Sequence, residues 1–332
     1  MILVTGATGL VGQDVLRALA ARGTSTLATV RDAGGSALVQ SLGAEPLFGA
    51  VEDESTWRQS MPALDGIVHA AAIVADRVGW ERFQAVNVRG TQLACDLARR
   101  CEVPLVHVSS VSVYGRRAAD DAPYSLSEGH AWGPLDERDY YARSKRLAEE
   151  HVTIESHRGL RACSLRPCVI YGPGDRLLLP RLLAAGRRGW LPRLGAGDQP
   201  MALVHSASVA EAALAALASG RGWGRAYNVT GDAPVTAVEV IQAVTEVVGH
   251  RVRTVALPTA PVLGLARLGE GMLSMLGPRR YPGTLQGAVR FWRGGDAYNS
   301  EAIRRDLSWS PRVEHRKALV EALRAVERRG AP

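Results

Sequence analysis

The chain opens with an apolar strand, residues 1–4, that runs without a break into Thr5-Gly6-Ala7-Thr8-Gly9-Leu10-Val11-Gly12 and then into a helical pattern. This order constrains the fold more than any other feature. Glycines at a strand-to-helix junction let the backbone approach a ligand with no Cβ in the way. The N-terminus of the following helix presents unpaired N–H groups and a partial positive charge, which suits a pyrophosphate. A glycine turn alone is a weak signal. At the first strand-to-helix junction of a chain it points to a bound dinucleotide.

The rest of the first half repeats the alternation. Strands are expected at residues 2–4, Thr26–Val30, 66–70, Leu105–Val108 and 162–165, with helices at 12–21, 53–60, 83–99 and 141–156 between them. Short β-branched runs separated by helical patterns argue for a parallel sheet covered on both faces. Right-handed crossovers then give an α/β fold, a Rossmann-type doubly wound sheet with its ligand crevice at the carboxyl ends of the strands. After Arg166 the texture changes. Tyr171-Gly172-Pro173-Gly174-Asp175 reads as a loop, 177–185 as a helix and 195–200 as another loop. Two short strands, 202–205 and Ala226–Val229, flank an alanine-rich helix at 209–218. A helix from 234 through 248, a strand near 252–256, apolar helical segments over 261–276 and an amphipathic tail helix at 314–328 complete the chain. No repeat or low-complexity linker divides it. The expected organisation is a dinucleotide-binding domain over 1–170, to which 201–231 returns, and a smaller C-terminal substrate lobe from 171–200 and 232–332.

Composition narrows the class. Among 332 residues, 46% are apolar and 22% charged, as in an ordinary globular protein. The net charge of +7 reflects 40 basic against 33 acidic residues, with arginine pairs at Arg304-Arg305 and Arg328-Arg329. With only 5% aromatics, no face interleaves rings with basic residues, so a nucleic-acid partner is not expected. A positive field does favour a polyanionic cofactor. Cys95, Cys101, Cys163 and Cys168 form no Cys-x-x-Cys pair and lie near no His at metal-ligand spacing, so no metal site is expected. They read as buried thiols of a reducing compartment. A strand starting at Met1 leaves no room for a signal peptide, and no apolar run reaches about 18 residues. A cytoplasmic protein without a membrane span is the expectation.

The chemistry centres on Tyr141-Ala142-Arg143-Ser144-Lys145. A Tyr and a Lys four apart share one helix face. There an ammonium can lower the pKa of a phenol, whose ordinary value near ~10 makes it a poor proton exchanger at neutral pH. Ser109, Ser110 and Ser112 follow the strand Leu105–Val108, where a hydroxyl can hold a substrate carbonyl; Ser110 is the preferred choice, the others suiting a turn cap. At the end of the second strand stands Ala28-Thr29-Val30-Arg31-Asp32. An acidic residue there selects the free 2′-hydroxyl of NAD, and an arginine accommodates the 2′-phosphate of NADP. With Arg31 first, NADP(H) is favoured over NAD(H). His69, ahead of Ala70, Ala71 and Ala72, is read as structural; the small residues let a cofactor pass over the sheet edge. Asn87 is expected to fix backbone behind the active site.

With these residues in order, the chain resembles an extended short-chain dehydrogenase/reductase of the NAD-dependent epimerase/dehydratase group. The likeness covers nearly all of the chain. It rests on the Thr5-to-Gly12 loop, His69-Ala70-Ala71-Ala72, Asn87-Val88-Arg89-Gly90-Thr91, Ser109-Ser110 with Val113-Tyr114-Gly115, Tyr141-x-x-x-Lys145, and Arg166-Pro167 with Tyr171-Gly172-Pro173-Gly174. The resemblance implies a catalytic triad of Ser110, Tyr141 and Lys145. It implies a pyrophosphate held by Gly6, Gly9, Leu10 and Val11, with Thr8 and Gly12 beside them, and a nicotinamide lined by Pro167 and Ile170. Val51, Ala70, Ala71, Ala72, Asn87, Tyr141 and Lys145 complete the implied cofactor contacts. Two departures stand out. Gly49 is followed by Ala50 where the family often has an Asp for the adenine, and Val204-His205-Ser206-Ala207-Ser208-Val209 lacks a frequent pair of Asp residues. The second loss is expected to touch packing more than chemistry.

Residues 28–32, 141–145 and the apolar segment 258–276 look more like the 3β-hydroxysteroid dehydrogenase and dihydroflavonol reductase branch than the sugar-nucleotide epimerases. The expected function is therefore NADP(H)-dependent reduction of a ketone, or oxidation of a secondary alcohol, on a mainly apolar or polyketide-like small molecule. The alternative is a nucleotide-sugar epimerase, dehydratase or 4-ketoreductase gripping a diphosphate with Arg181, Arg187, Arg188 or Arg193. A non-catalytic cofactor-binding regulator is the remaining class, and an intact Ser110/Tyr141/Lys145 set argues against it. The pocket is expected from the variable stretches 115–138, 176–197 and 258–291, the last being either an apolar lid or ordinary core. Homodimerisation is left open.

Overall fold

The computed structural model describes residues 1–74, 78–115, 125–275, 285–295 and 297–330. In its first half β1 (Ile2–Thr5) leads into α1 (Leu10–Ala20), then β2 (Thr26–Val30), α2 (Ala33–Ser41), β3 (Glu45–Phe48) and the short α3 (Glu54–Arg58). β4 (Gly66–His69) is followed by α4 (Trp80–Phe83), a π-helical stretch Gln84–Arg89, α5 (Gly90–Arg100), β5 (Leu105–Val108) and a 3-10 turn, Val111–Tyr114. Next come β6 (Ser125–Leu126), α6 (Tyr140–His157), β7 (Ala162–Pro167) and β8 (Val169–Tyr171).

Seven of the chain's strands form one sheet, and the last joins from further along. After α7 (Leu179–Arg187), β9 (Trp190–Leu194), β10 (Pro200–Met201), β11 (Leu203–His205) and α8 (Ser206–Ser219), β12 (Ala226–Val229) returns to pair with β7. The order is β12-β7-β5-β4-β1-β2-β3, parallel throughout. Period-two alternation divides the strand side chains between two cores. Val4, Ala28, Val68 and Val106 pack with α1 and α8, while Leu3, Leu27, Ile67 and Leu105 pack with α5. Both faces are covered, which is why these strands read as unbroken apolar runs.

The remaining chain comprises β13 (Val235–Thr236), α9 (Ala237–Val248), β14 (Arg253–Leu257), α10 (Thr259–Met275), α11 (Leu285–Arg293), β15 (Ala297–Tyr298), α12 (Glu301–Leu307) and α13 (His315–Gly330). A core of its own joins α7, α9 and α13 through Leu179, Leu183, Val240, Val244, Leu319 and Leu323. α9 starts on a full capping box between Thr236 and Glu239.

Several elements differ from expectation. α2 and β3 were not among the expected elements: α2 carries Gly34 and Gly35, and β3 has Pro46 with only Leu47 buried. Both are tolerable: Asp32 caps α2, and β3 is an edge strand, where a proline is accepted. The single helix expected over 83–99 is α4, the π-helical stretch and α5 in succession. β9, with Pro192 inside it, was also not foreseen. Of the expected pocket-lining stretches, 116–124 and 276–284 lie outside the described residues, as does Leu276 at the end of the expected apolar helix.

Candidate active site

The sheet order reverses between β1 and β4, and the glycine turn lies at that switch point, where a doubly wound sheet opens its crevice. Gly6 has φ +65°, and a Cβ on it would lie 2.6 Å from the Ala71 nitrogen, so glycine is required on both counts. A Cβ on Gly12 would meet the Gly6 carbonyl at 2.2 Å, which lets α1 start directly against the turn. α1 has no side-chain cap and no acid in its first turn, so its amide end is free for an anion. Thr8 is half-buried and its carbonyl accepts from Gln13 Nε2 at 3.0 Å. Leu10 touches the loop after β8, since a Cβ on Gly174 would stand 3.1 Å from its Cδ1. Val11 is buried.

Behind the turn, Thr5 and His69 face each other in register across β1 and β4. Thr5 Oγ1 and His69 Nδ1 are 2.8 Å apart, and His69 Nε2 lies 3.1 Å from Thr91 Oγ1. Burial pushes the imidazole down to about 3, so His69 is a neutral tie between strand and helix. Ala71 is buried against Gly6, with Ala70 and Ala72 half-buried beside it. Val51 is buried against Gly90, and its carbonyl accepts from Trp57 Nε1 at 2.9 Å. Pro167 is buried at the end of β7, opposite Val229, and Ile170 is half-buried on β8, opposite Val204.

Asn87 fixes backbone, as expected. It is almost wholly buried, and its amide is taken up by the Ile73 N–H (2.9 Å), the Ile73 carbonyl (3.1 Å) and Ser144 Oγ (2.9 Å). Ser144 in turn donates to the Tyr141 carbonyl at 2.8 Å, so Asn87 clamps the loop after β4 to the start of α6. It sits in the π-helical stretch, a local widening that often marks a functional region.

α6 starts at Asp139, whose carboxylate caps the Ala142 N–H at 3.0 Å. Tyr140 packs against Trp80 and Phe83, while the Tyr141 phenol lies on the side of Ser110, whose hydroxyl favours its ionised form. Among the serines after β5, Ser109 donates to Glu149, while Ser110 accepts from the Ser112 N–H at 3.1 Å and faces Tyr141. Lys145 lies one turn beyond Tyr141, 3% exposed, and donates to the Val108 carbonyl at 2.7 Å. The electrostatics differ from expectation. Burial raises the Tyr141 phenol above its ordinary value, opposed by the Ser110 hydrogen bond, while the ammonium expected to acidify it is turned to Val108. Lys145 itself is pulled down to about 8 by burial, against the opposing pull of Glu149.

At the end of β2, Arg31 and Asp32 are both exposed but differ in role. The Asp32 carboxylate accepts from the Gly35 N–H at 2.7 Å and caps α2. Gly35 in turn lies against Thr8, so this corner adjoins the glycine turn. The two family departures also find structural accounts. Ala50 offers its carbonyl to Thr56 Oγ1 at 2.8 Å, and His205 caps α8 while Ser206 donates to Asp14 on α1.

A buried polar chain behind Lys145 escaped the sequence reading. Glu149 accepts from Ser109 and from Arg166 Nε (2.9 Å). Arg166 donates to the Tyr114 hydroxyl (2.9 Å), and Tyr114 donates to Asn228 Oδ1 (2.8 Å). Glu149 reads as an ordinary helix former; its i+4 spacing from Lys145 was the available signal.

A seven-stranded parallel sheet with a glycine turn at its switch point, and Ser, Tyr and Lys at the carboxyl ends, defines the extended short-chain dehydrogenase/reductase class. Residues 2–230 match the NAD dependent epimerase/dehydratase family, and the chain belongs to it. It is 32% identical over 325 residues to a 4-hydroxy-2-methyl-3-oxo-4-farnesyl-3,4-dihydroquinoline-1-oxide ketoreductase of Stigmatella aurantiaca, covering 97% of this chain and 95% of that one. It is 27% identical to a 2-alkyl-3-oxoalkanoate reductase of Stenotrophomonas maltophilia, covering 96% and 97%. Among solved structures, UDP-glucose 4-epimerase of Thermotoga maritima has the same fold, with a TM-score of 0.77, 18% identity and 99% of each chain covered. The protein is an NAD(P)-dependent oxidoreductase.

Proposed function

We propose that this enzyme reduces a ketone, or oxidises the corresponding secondary alcohol, on a mainly apolar or polyketide-like small molecule, with NADP(H) favoured over NAD(H). The observation that carries the reading is that Lys145, one helical turn beyond Tyr141 on α6, is tied to the Val108 carbonyl at the end of β5, which brings that helix face beside Ser110. The glycine turn and the uncapped α1 terminus fit the pyrophosphate of a dinucleotide. When bound, the nicotinamide supplies the hydride. Ser110 holds the substrate carbonyl oxygen by its hydroxyl. Tyr141, kept protonated by burial, donates its proton to that oxygen as negative charge builds on it. Lys145, protonated below about 8 and held by the Val108 carbonyl, supplies the positive charge on this helix face at neutral pH. Arg31 is the reader of the 2′-phosphate, supported by the engagement of Asp32 as a helix cap.

The names of the two reductase relatives support an apolar ketone. A diphosphate grip by the arginines of the second lobe has less support: Arg187 is paired with Glu327, and Arg193 donates to the Ala196 carbonyl. The test follows NADPH oxidation with bulky apolar ketones and, in parallel, with nucleotide sugars. Turnover of the ketones is expected. Turnover of nucleotide sugars alone, on an enzyme that retains its cofactor through purification, would overturn the reading.

A further inference from the structure

α6 grips the Ser110 segment on both sides, and two consecutive residues do it. Lys145 donates to the Val108 carbonyl, ahead of Ser110, at 2.7 Å. Arg146 donates to the Val113 carbonyl, beyond Ser110, through Nε at 3.0 Å and Nη2 at 2.5 Å. Between these grips the backbone closes into the 3-10 turn that Ser110 caps. The Val113 N–H returns to the Ser110 carbonyl at 3.2 Å, and the Ser110 hydroxyl accepts from the Ser112 N–H at 3.1 Å. A shift at Val113 is therefore passed on to Ser110.

The Arg146 guanidinium is itself held from a third side. Its Nη2 also donates to the Gly133 carbonyl at 2.8 Å, and the group lies over the Trp132 ring, 5.0 Å from the centroid. A planar fork can serve two carbonyls while its face covers a ring, which a lysine ammonium cannot match. The exit of the turn is pressed against the same group. Gly115 has φ +76°, and a Cβ there would lie 2.6 Å from the Gly133 carbonyl oxygen and 2.9 Å from Arg146 Nη2. The Gly133 N–H in turn donates to the Tyr114 carbonyl at 2.8 Å. The Ser110 turn, residues 132–133 and α6 thus meet at one side chain.

We propose that Arg146 is a positioning residue for the reaction: through the Val113 carbonyl it fixes the Ser110 hydroxyl relative to Tyr141 and Lys145 on α6, with Trp132 and Gly133 holding the guanidinium in place. This rests on Ser110 as the holder of the substrate carbonyl oxygen. Positioned groups are sensitive to such anchoring, since a displacement of about 1 Å costs on the order of a hundredfold in rate.

The test is a double-mutant cycle on kcat for ketone reduction by the full-length enzyme, with Ser110→Ala as the second change. Arg146→Met keeps the aliphatic stem and removes the donors. Alone it should lower kcat about tenfold to a hundredfold, with the cofactor dissociation constant nearly unchanged. In the Ser110→Ala background it should cost less than about twofold, because the group it positions is gone. Trp132→Leu loosens the guanidinium without removing it, so it should show the same pattern with a smaller loss, and it carries the test if Arg146→Met does not fold. Equal fold-losses with and without the Ser110 hydroxyl would make the role of Arg146 structural and overturn the proposal, as would wild-type kcat in Arg146→Met. Full turnover in Ser110→Ala alone is a separate result: it removes Ser110 from the chemistry, and the proposal falls with that reading.

Discussion

Glu149 and Arg166 form an ion pair, Oε1 to Nη2 2.5 Å apart, with side chains only 1% and 6% exposed. The pair joins α6 to β7 one turn beyond Lys145, and Ser109 donates to the other carboxylate oxygen. A buried pair of this kind adds little net stability over an apolar one, but removal of one partner strands the other charge. Glu149→Leu should therefore destabilise the fold by about 3–5 kcal/mol, and Glu149→Leu with Arg166→Met by clearly less. Urea unfolding of the two variants checks this. Equal losses in single and double variants would mean that the pair acts through packing rather than charge.

Tyr141→Phe removes one hydroxyl and keeps the ring. General acid catalysis is typically worth ~10²–10⁴ in rate, so ketone turnover should fall by that order while cofactor affinity barely changes. Single-turnover kinetics with a separate cofactor titration distinguish the two. A variant that keeps most of its activity would remove Tyr141 from the role of proton donor.

The lowered pKa of Lys145 predicts opposite trends for activity and stability. In the folded enzyme its proton is lost as pH rises through about 8, against an ordinary value of 10.5 in the unfolded chain. Above about 8 the positive charge behind Tyr141 disappears, so kcat/KM for reduction should fall there. Between about 8 and 10.5 the unfolded chain binds more protons, so this group's contribution to stability rises with pH. A pH–rate profile and denaturant midpoints over the same range test both. An activity level up to pH 10.5 would show that the ammonium is not needed.

Cofactor choice rests on Arg31. A charge-assisted contact to a 2′-phosphate contributes roughly 1.5–3 kcal/mol, or about ten- to a hundredfold in affinity. Arg31→Ala should weaken NADPH by that factor and leave NADH nearly unchanged, as measured by fluorescence titration. Because Asp32 caps α2, Asp32→Ala should lower the melting temperature more than it alters selectivity. Equal losses for both cofactors in the Arg31 variant would exclude this residue as the reader.

The glycine turn, the six foreseen sheet strands and the Tyr141/Lys145 pair were legible because they are local. The turn's φ, the period of two in a strand and the four-residue step of a helix follow from backbone geometry within a few residues. Other features were settled by partners far along the chain. Glu149 is a neutral choice for a helix until Arg166 and Ser109 are folded against it. Asn87 finds its partners in Ile73 and Ser144, 14 and 57 residues away. The α10 segment reads equally well as lid or core until Glu270 and α11 orient it. Sequence by itself thus determined the class of fold and the residues proposed to do the chemistry. Which carboxylate stands behind the lysine, and which apolar face meets solvent, only the tertiary structure decided, because burial and long-range hydrogen bonding are properties of packed neighbours rather than of spacing.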